Sequence, residues 1–246
     1  MLLPSMGEDI RAIVIGASGG IGGAFIDALN EADQVSKIYA LSRQGKSHPS
    51  EKVDNLTFDL TSEKSLKAAA ESLRETDSFD LIIIATGLLQ GDGISPEKSI
   101  RDLSYEGLEK SFLVNTIGPA MTARYFLPLL REDRKSVFTA LSARVGSISD
   151  NRIGGWYGYR ASKAALNMIL KTLSIEHARR HKQAIILGLH PGTVDTDLSK
   201  PFQGNVPEDK LFAPEYSIEK LLSVIDQVSP QDSGKLFDWA GKEIAF

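Results

Sequence analysis

Short apolar runs alternate with longer stretches of helical periodicity along almost the whole chain. The runs are Ala12–Ile15, Ile38–Leu41, Leu56–Phe58, Leu81–Ala85, Val137–Leu141, Ala184–Leu189 and Lys235–Trp239. Most are continuous in Ile, Val, Leu and Phe without strict alternation, the pattern of parallel strands covered on both faces. Between them apolar residues recur three or four apart: Ile21, Phe25 and Leu29; Leu66, Ala69, Ala70 and Leu73; Leu166, Ile169, Leu170 and Leu173. Each set lays one apolar stripe along a helix. Pro214 followed by Glu215 opens a last helix, because a proline loses nothing at the first helical position and a carboxylate suits the positive helix end. Phe126-Leu127-Pro128-Leu129 reads as a buried helix kinked by its proline. Strand and helix alternating in this order predict an α/β fold: a single Rossmann-type, doubly wound parallel sheet with helices on both faces. One long stretch, Asp197–Phe212, carries Pro201, Gly204 and Pro207 and reads as irregular. It follows the carboxyl end of a strand, where such sheets place their ligands.

Composition narrows the function. A chain of 246 residues buries a large core without staples, and the absence of cysteine excludes thiol catalysis, disulfides and cysteine-ligated metals. A net charge of −4 argues against a nucleic-acid or anionic-membrane binder, which needs a positive field. No apolar run reaches membrane-spanning length, and Met1–Glu8 has neither the basic start nor the apolar centre of a signal peptide. The expectation is a cytoplasmic protein with a small-molecule substrate and no nucleic-acid or membrane partner. Residues 1–10 read as an N-terminal extension and residues 11–246 as one dinucleotide-binding catalytic domain.

The first strand runs directly into Gly16-Ala17-Ser18-Gly19-Gly20-Ile21-Gly22 and then into a helix. Glycines here turn the chain sharply and bring backbone N–H groups against a pyrophosphate at the helix N-terminus. An ordinary glycine-rich turn looks the same in isolation; a strand before, a helix after and a place in the first βα unit favour the nucleotide. The second strand ends Leu41-Ser42-Arg43, without the carboxylate that would hold a ribose 2′-hydroxyl. An arginine there can meet a 2′-phosphate, which favours NADP(H), although a solvated surface charge is its alternative. Asp59-Leu60-Thr61 follows the third strand and reads equally as a helix start.

Tyr159-Arg160-Ala161-Ser162-Lys163 puts a phenol and an ammonium on one helical face. A nearby cation lowers a tyrosine pKa towards the working range, and such a tyrosine can protonate a carbonyl oxygen as hydride reaches the carbon. Tyr216-Ser217-Ile218-Glu219-Lys220 repeats the spacing, but far in sequence from any strand end that carries a partner.

The Gly-x-x-x-Gly-x-Gly spacing, the Tyr-x-x-x-Lys pair and the later Pro191-Gly192-Thr193-Val194-Asp195-Thr196 together resemble the short-chain dehydrogenase/reductase family, from Arg11 to about Gly241. Asp150-Asn151-Arg152 and Gly154-Gly155-Trp156 are similar to its carbonyl-reductase group of sniffer and C-factor-type proteins. The resemblance implies an NADP(H)-dependent oxidoreductase that reduces a carbonyl or, in reverse, oxidises an alcohol. Tyr159 is then the acid/base and Lys163 contacts the nicotinamide ribose. Asn115 supports a proton-relay water, and Val194 and Thr196 hold the carboxamide. Asp59 and Leu60 edge the adenine. The implied assembly is a homodimer or homotetramer.

Two departures stand out. Ile84-Ala85-Thr86-Gly87 replaces the family's Asn-Asn-Ala-Gly, which keeps Ala85, Thr86 and Gly87 as the cofactor-facing segment without its asparagines. The substrate-orienting serine normally stands three residues before a glycine; counted from Gly146 that slot is Ala143, with Ser142 before it and Ser147 after. Ser142 is the best candidate, although a strand alternates its side chains and turns it from the pocket unless the chain bulges. The loss gives a rival reading some weight: an NADP(H)-binding sensor or signalling protein with little turnover. His177 and His181 sit among Arg179, Arg180 and Lys182 and read as a basic helix end, with no metal. His190 is assigned to its turn. Gly154–Tyr157 and the 197–212 stretch are expected to line the substrate pocket.

Overall fold

A computed structural model describes residues 2–45, 48–75, 78–91 and 93–246. In chain order its elements are β1 (Ile10–Ile15), α1 (Gly20–Glu31), β2 (Val35–Ser42), β3 (Val53–Thr57), α2 (Glu63–Arg74) and β4 (Leu81–Ile84). There follow α3 (Tyr105–Phe112), α4 (Gly118–Phe126), β5 (Ser136–Leu141), α5 (Tyr157–His177), β6 (Ala184–His190), β7 (Thr193–Val194), β8 (Leu211–Phe212), α6 (Pro214–Gln227) and β9 (Leu236–Asp238).

Seven strands form one parallel sheet in the order β3-β2-β1-β4-β5-β6-β9. Alternation along each strand feeds two cores. Ala12 and Val14 of β1 join Phe25, Leu29, Ile218, Leu221 and Leu222 of α1 and α6 on one side. Ile13 and Ile15 join Leu66, Phe126, Leu166 and Leu170 of α2, α4 and α5 on the other. Apolar residues at both parities are therefore buried, which is why the strands read as unbroken runs. Leu3 and Met6 of the amino-terminal segment are buried in the first core.

The sequence order reverses between β1 and β4, and the carboxyl ends there open the crevice that such sheets use for ligands. Pro214 sits in the first turn of α6, as its position predicts.

Two details differ from the sequence pattern. Pro128 makes no kink: α4 ends at Phe126 and the proline lies in a 3₁₀ turn, Leu127–Leu129, that closes it. The departure from regular helix lies instead between α3 and α4, where Leu113–Ile117 form a π turn. The 197–212 stretch is also more regular than expected, with 3₁₀ turns at Lys200–Asn205 and Glu208–Lys210 and a β7–β8 pairing that ties its end back to Thr193–Val194. Among the described residues no helix is long and apolar enough to cross a membrane.

Candidate active site

The glycine turn forms a cradle that side chains would fill. Gly16 has φ +90° and donates to the Leu41 carbonyl at 2.9 Å, fixing the turn to β2. A Cβ on Gly22 would lie 2.1 Å from the Gly16 oxygen, and one on Gly20 would lie 2.8 Å from Thr196 Cγ2. Helix α1 begins after Gly19 with neither a side-chain cap nor an acidic first turn. The N–H groups of Gly20, Ile21 and Gly22 are thus left for a ligand, at the positive end of the helix.

A cavity of about 250 Å³ opens from this turn, with Gly16 and Ser18 on one side and Ser42, Arg43, Asp59 and Leu60 on the other. Ser42 is committed by accepting the Gly45 N–H at 3.2 Å. Arg43 is exposed and forms no close ion pair among the described residues, although its charge acts on Asp59. Asp59 accepts the Thr61 N–H at 2.9 Å and its hydroxyl at 2.8 Å. These bonds, and then the charge of Arg43, hold its carboxyl below the usual range. Leu60 is buried against Gly118, where a Cβ would lie 2.1 Å from Leu60 Cδ2.

A second, more apolar cavity of about 380 Å³ shares Ala85, Thr86 and Gly87 with the first. The Thr86 hydroxyl is buried there without a protein partner. Tyr159 and Lys163 face this cavity from α5; Pro191, Gly192, Val194 and Thr196 face it from the β6–β7 turn. Gly192 has φ +80° and leaves no room for a Cβ, which would lie 2.6 Å from the Phe212 ring. Of Gly154–Tyr157 only Trp156 lines the cavity, and from the 197–212 stretch come Leu198, Ser199, Phe202 and Val206. Trp156 has φ +51°, rare for a bulky residue, and its ring meets Phe202 at 5.1 Å and Tyr159 at 6.3 Å.

Lys163 is 2% exposed and donates to the Leu141 carbonyl at 2.8 Å, with its Nζ 5.8 Å from the Tyr159 ring centre. Here the electrostatics depart from the sequence-based expectation. Burial pushes Tyr159 up to about 12 and Lys163 down to about 7. Both charged forms lose water, and that loss outweighs the attraction of the nearby ammonium.

Asn115 lies in the π turn and is fully buried. Its amide donates to the Leu88 carbonyl at 2.8 Å and to Ser162 Oγ at 3.1 Å, while its oxygen accepts the Leu88 N–H at 2.8 Å. It thereby clamps the segment after β4 to α5, beside Gly87 and Lys163. A π turn at such a place widens the helix where a polar group must turn inward.

The serine question takes a definite geometry. Ala143 lines the cavity. Ser142 also reaches its wall, but its hydroxyl donates to Asn167 Oδ1 at 2.6 Å. The Ser147 hydroxyl donates to the Ala245 carbonyl and accepts from Asp150. The β5–β6 register runs without a bulge through Leu141.

Sequence reasoning missed Glu97, which is 5% exposed and caps α5 from outside the helix. Its carboxylate accepts the Gly158 N–H at 3.1 Å, and a Cβ on Gly158 would lie 2.8 Å from its other oxygen. No spacing signal links residues so far apart. His190 lines the cavity that Tyr159 and Lys163 face and is not confined to its turn. His177 and His181 stack at 4.2 Å, with His181 3.2 Å from Glu132.

The model of the short chain dehydrogenase family matches residues 11–206. The 1-hydroxy-2-glutathionyl-2-methyl-3-butene dehydrogenase of Rhodococcus sp. (strain AD45) is 35% identical over 178 residues, 72% of this chain and 73% of that protein. The C-signal protein of Myxococcus xanthus is 35% identical over 146 residues, 59% of this chain and 82% of its own length. The NADPH-bound carbonyl reductase from chicken fatty liver superposes with a TM-score of 0.82 at 27% identity, over 97% of this chain and all of its own (100%). With the Rossmann-type sheet, the glycine cradle and the tyrosine–lysine pair in place, this chain belongs to the short-chain dehydrogenase/reductase family.

Proposed function

We propose that this chain is an NADP(H)-dependent oxidoreductase that reduces a carbonyl, or oxidises the corresponding alcohol, with Tyr159 as acid/base. The observation that carries the reading is the junction of the two cavities. The cavity beside the glycine turn and the cavity that Tyr159 and Lys163 face share Ala85, Thr86 and Gly87 as a common wall. A dinucleotide spans adjoining phosphate and reaction sites of this kind.

On this reading the N–H groups of Gly20, Ile21 and Gly22 receive the pyrophosphate, with Ser18 beside them. Ser42 and Arg43 receive the 2′-phosphate, Asp59 and Leu60 the adenine, and Val194 and Thr196 the carboxamide. Lys163 takes the nicotinamide ribose, and Asn115 supports a water that passes protons to it. The reduced cofactor supplies hydride when bound. As hydride reaches the carbonyl carbon, the C=O π pair moves to oxygen, and that oxygen takes the Tyr159 proton. A phenol at about 12 keeps its proton at neutral pH and yields it only to the strongly basic oxygen then forming. Trp156, Phe202, Leu198 and Val206 make the wall apolar and favour a carbonyl on an apolar body. Exposed Ile117 of the π turn and Met168 and Ile175 of α5 support a homodimer or homotetramer.

One observation favours the rival, a sensor that binds NADP(H) with little turnover: Ala143 offers no hydroxyl, and both neighbouring serines are committed elsewhere. NADPH oxidation with a panel of aldehydes, ketones and quinones separates the two. Turnover with at least one class is expected; tight binding with no turnover across the panel would leave the sensor. NADPH should bind at least about tenfold more tightly than NADH, the size of one charge-assisted contact, and Arg43→Ala should remove most of that preference in a fluorescence titration.

A further inference from the structure

A carbonyl oxygen approaching Tyr159 gains from a second donor, because negative charge builds on it as hydride arrives. Ala143 supplies none, and the hydroxyls of Ser142 and Ser147 already donate to Asn167 and to the Ala245 carbonyl. The wall nevertheless holds another donor. His190 ends β6 beside the end of β5, where the Ser142 N–H donates to the Leu189 carbonyl at 2.8 Å. That bond places His190 one residue from the vacant slot, and it lines the same cavity as Ala143 and Tyr159. Its Nδ1 is enclosed without a hydrogen-bond partner, and neither ring nitrogen bonds to another described residue. A neutral imidazole carries one N–H; with Nδ1 closed off, the N–H that can meet a ligand is on Nε2, which no described residue satisfies.

The charged groups facing it are Arg144 and Asp238. They are occupied with each other at 3.0 Å, and Arg144 also reaches Asp150 at 3.3 Å. Burial, aided by Arg144 and opposed by Asp238, holds the imidazole down to about 4, so the ring is neutral at neutral pH.

We propose that His190 is the second hydrogen-bond donor to the substrate's carbonyl oxygen, taking the place of the serine absent at position 143. The assignment rests on the reductase reading above. Its N–H bond strengthens as the oxygen gains charge and relaxes once Tyr159 has delivered its proton. One hydride and one proton are consumed, and the histidine ends as it began. A neutral ring suits the task, since an imidazolium would compete with Tyr159 as the acid.

The test uses His190→Ala, Tyr159→Phe and the double variant Ala143→Ser/His190→Ala, with kcat, KM and NADPH affinity measured on the full chain. His190→Ala should lower kcat by about 10²-fold, the usual effect of removing one such donor, with NADPH affinity within about twofold of wild type. Adding Ala143→Ser should recover at least about tenfold, a rescue that a merely structural histidine does not give. Unchanged kcat in His190→Ala, with turnover abolished by Tyr159→Phe, overturns the role of His190 and leaves the reductase reading standing. Turnover that survives Tyr159→Phe sinks both. Should His190→Ala lose NADPH binding, His190→Gln and His190→Met retain the volume. A kcat kept by Gln and lost by Met supports the donor, and equal values in the two overturn it.

Discussion

Two tyrosine–lysine pairs with the same spacing occur on two helices, and they have opposite surroundings. In each the lysine stands over its tyrosine ring, at 5.8 Å for Lys163 over Tyr159 and 5.4 Å for Lys220 over Tyr216. The spacing therefore does the same local work twice, as helical geometry requires. Lys163 is 2% exposed, whereas the side chain of Lys220 is 39% exposed and lies 3.9 Å from Glu219. Tyr159 stands where α5, the end of β5 and the Asn115 clamp converge. Tyr216 packs beside Phe212 and Trp239 at 5.2 and 6.2 Å, as a buttress of the short β7–β8 pair. A motif puts two groups in contact; burial at strand ends gives that contact a changed acidity and a cavity to act in.

The largest expected effect breaks the comparison most directly. Tyr159→Phe removes only the proton donor and keeps the ring against Trp156, so turnover should fall by about 10²–10⁴ with NADPH affinity retained. Tyr216→Phe removes the same atom from the second pair and should leave kcat within about twofold, as for ordinary partly exposed positions. Steady-state kinetics on the two variants decide the matter. Equal losses would mean that spacing, and not surroundings, identifies the acid.

The same contrast explains what the sequence disclosed. Strands buried on both faces gave unbroken Ile, Val and Leu runs, so β1, β4, β5 and β6 were legible. The glycine turn was legible because its constraint is local: no Cβ fits at Gly22. Of helices α3 and α4 only the end at Phe126 was read, since Leu113 and Ile117 point outward and the π turn between the helices shifts the period. Spacing put Tyr159 and Lys163 side by side but implied a lowered tyrosine pKa, the opposite of the rise that burial by residues from many segments gives. Ala143 was visible as a departure, yet nothing in the sequence told where the Ser142 hydroxyl points. His190, beside Pro191, looked like part of a turn; only the cavity gives it another neighbour.

Burial can be read out separately from activity. Lys163 has its pKa lowered to about 7 in the folded chain, against an ordinary value near 10.5 when unfolded. Between those values the unfolded chain binds the proton that the folded chain releases, so this group makes stability rise with pH above about 7. Its cost is fully present below about pH 7 and fades as pH approaches 10.5. Lys163→Met should therefore flatten the rise between about pH 7 and 9.5 by roughly 2–3 kcal/mol, measured by urea unfolding. Lys220→Met serves as the matched loss of a lysine from the other pair. Identical pH dependence in the two variants would refute burial as the difference between them.

The smallest effect concerns how each helix begins. Helix α6 starts with Pro214 in its first turn and no side-chain cap. Helix α5 starts after three residues with positive φ, Gly154, Gly155 and Trp156, and depends on Glu97 to accept the Gly158 N–H at 3.1 Å. That carboxylate holds the turn that carries Tyr159 and the Trp156 wall, and Gly158 leaves it the space. Glu97→Ala removes a cap of the kind that contributes about 0.5–2 kcal/mol, so thermal unfolding should fall by a few degrees at most. The more telling readout is kinetic. A loosened first turn displaces Tyr159 within the cavity, so kcat should drop severalfold while NADPH affinity stays unchanged. Glu97→Gln retains an acceptor oxygen and should recover most of the loss. If Glu97→Ala lowered the unfolding temperature but left kcat and KM untouched, the cap would serve the helix alone, and the start of α5 would be no more specialised than that of α6.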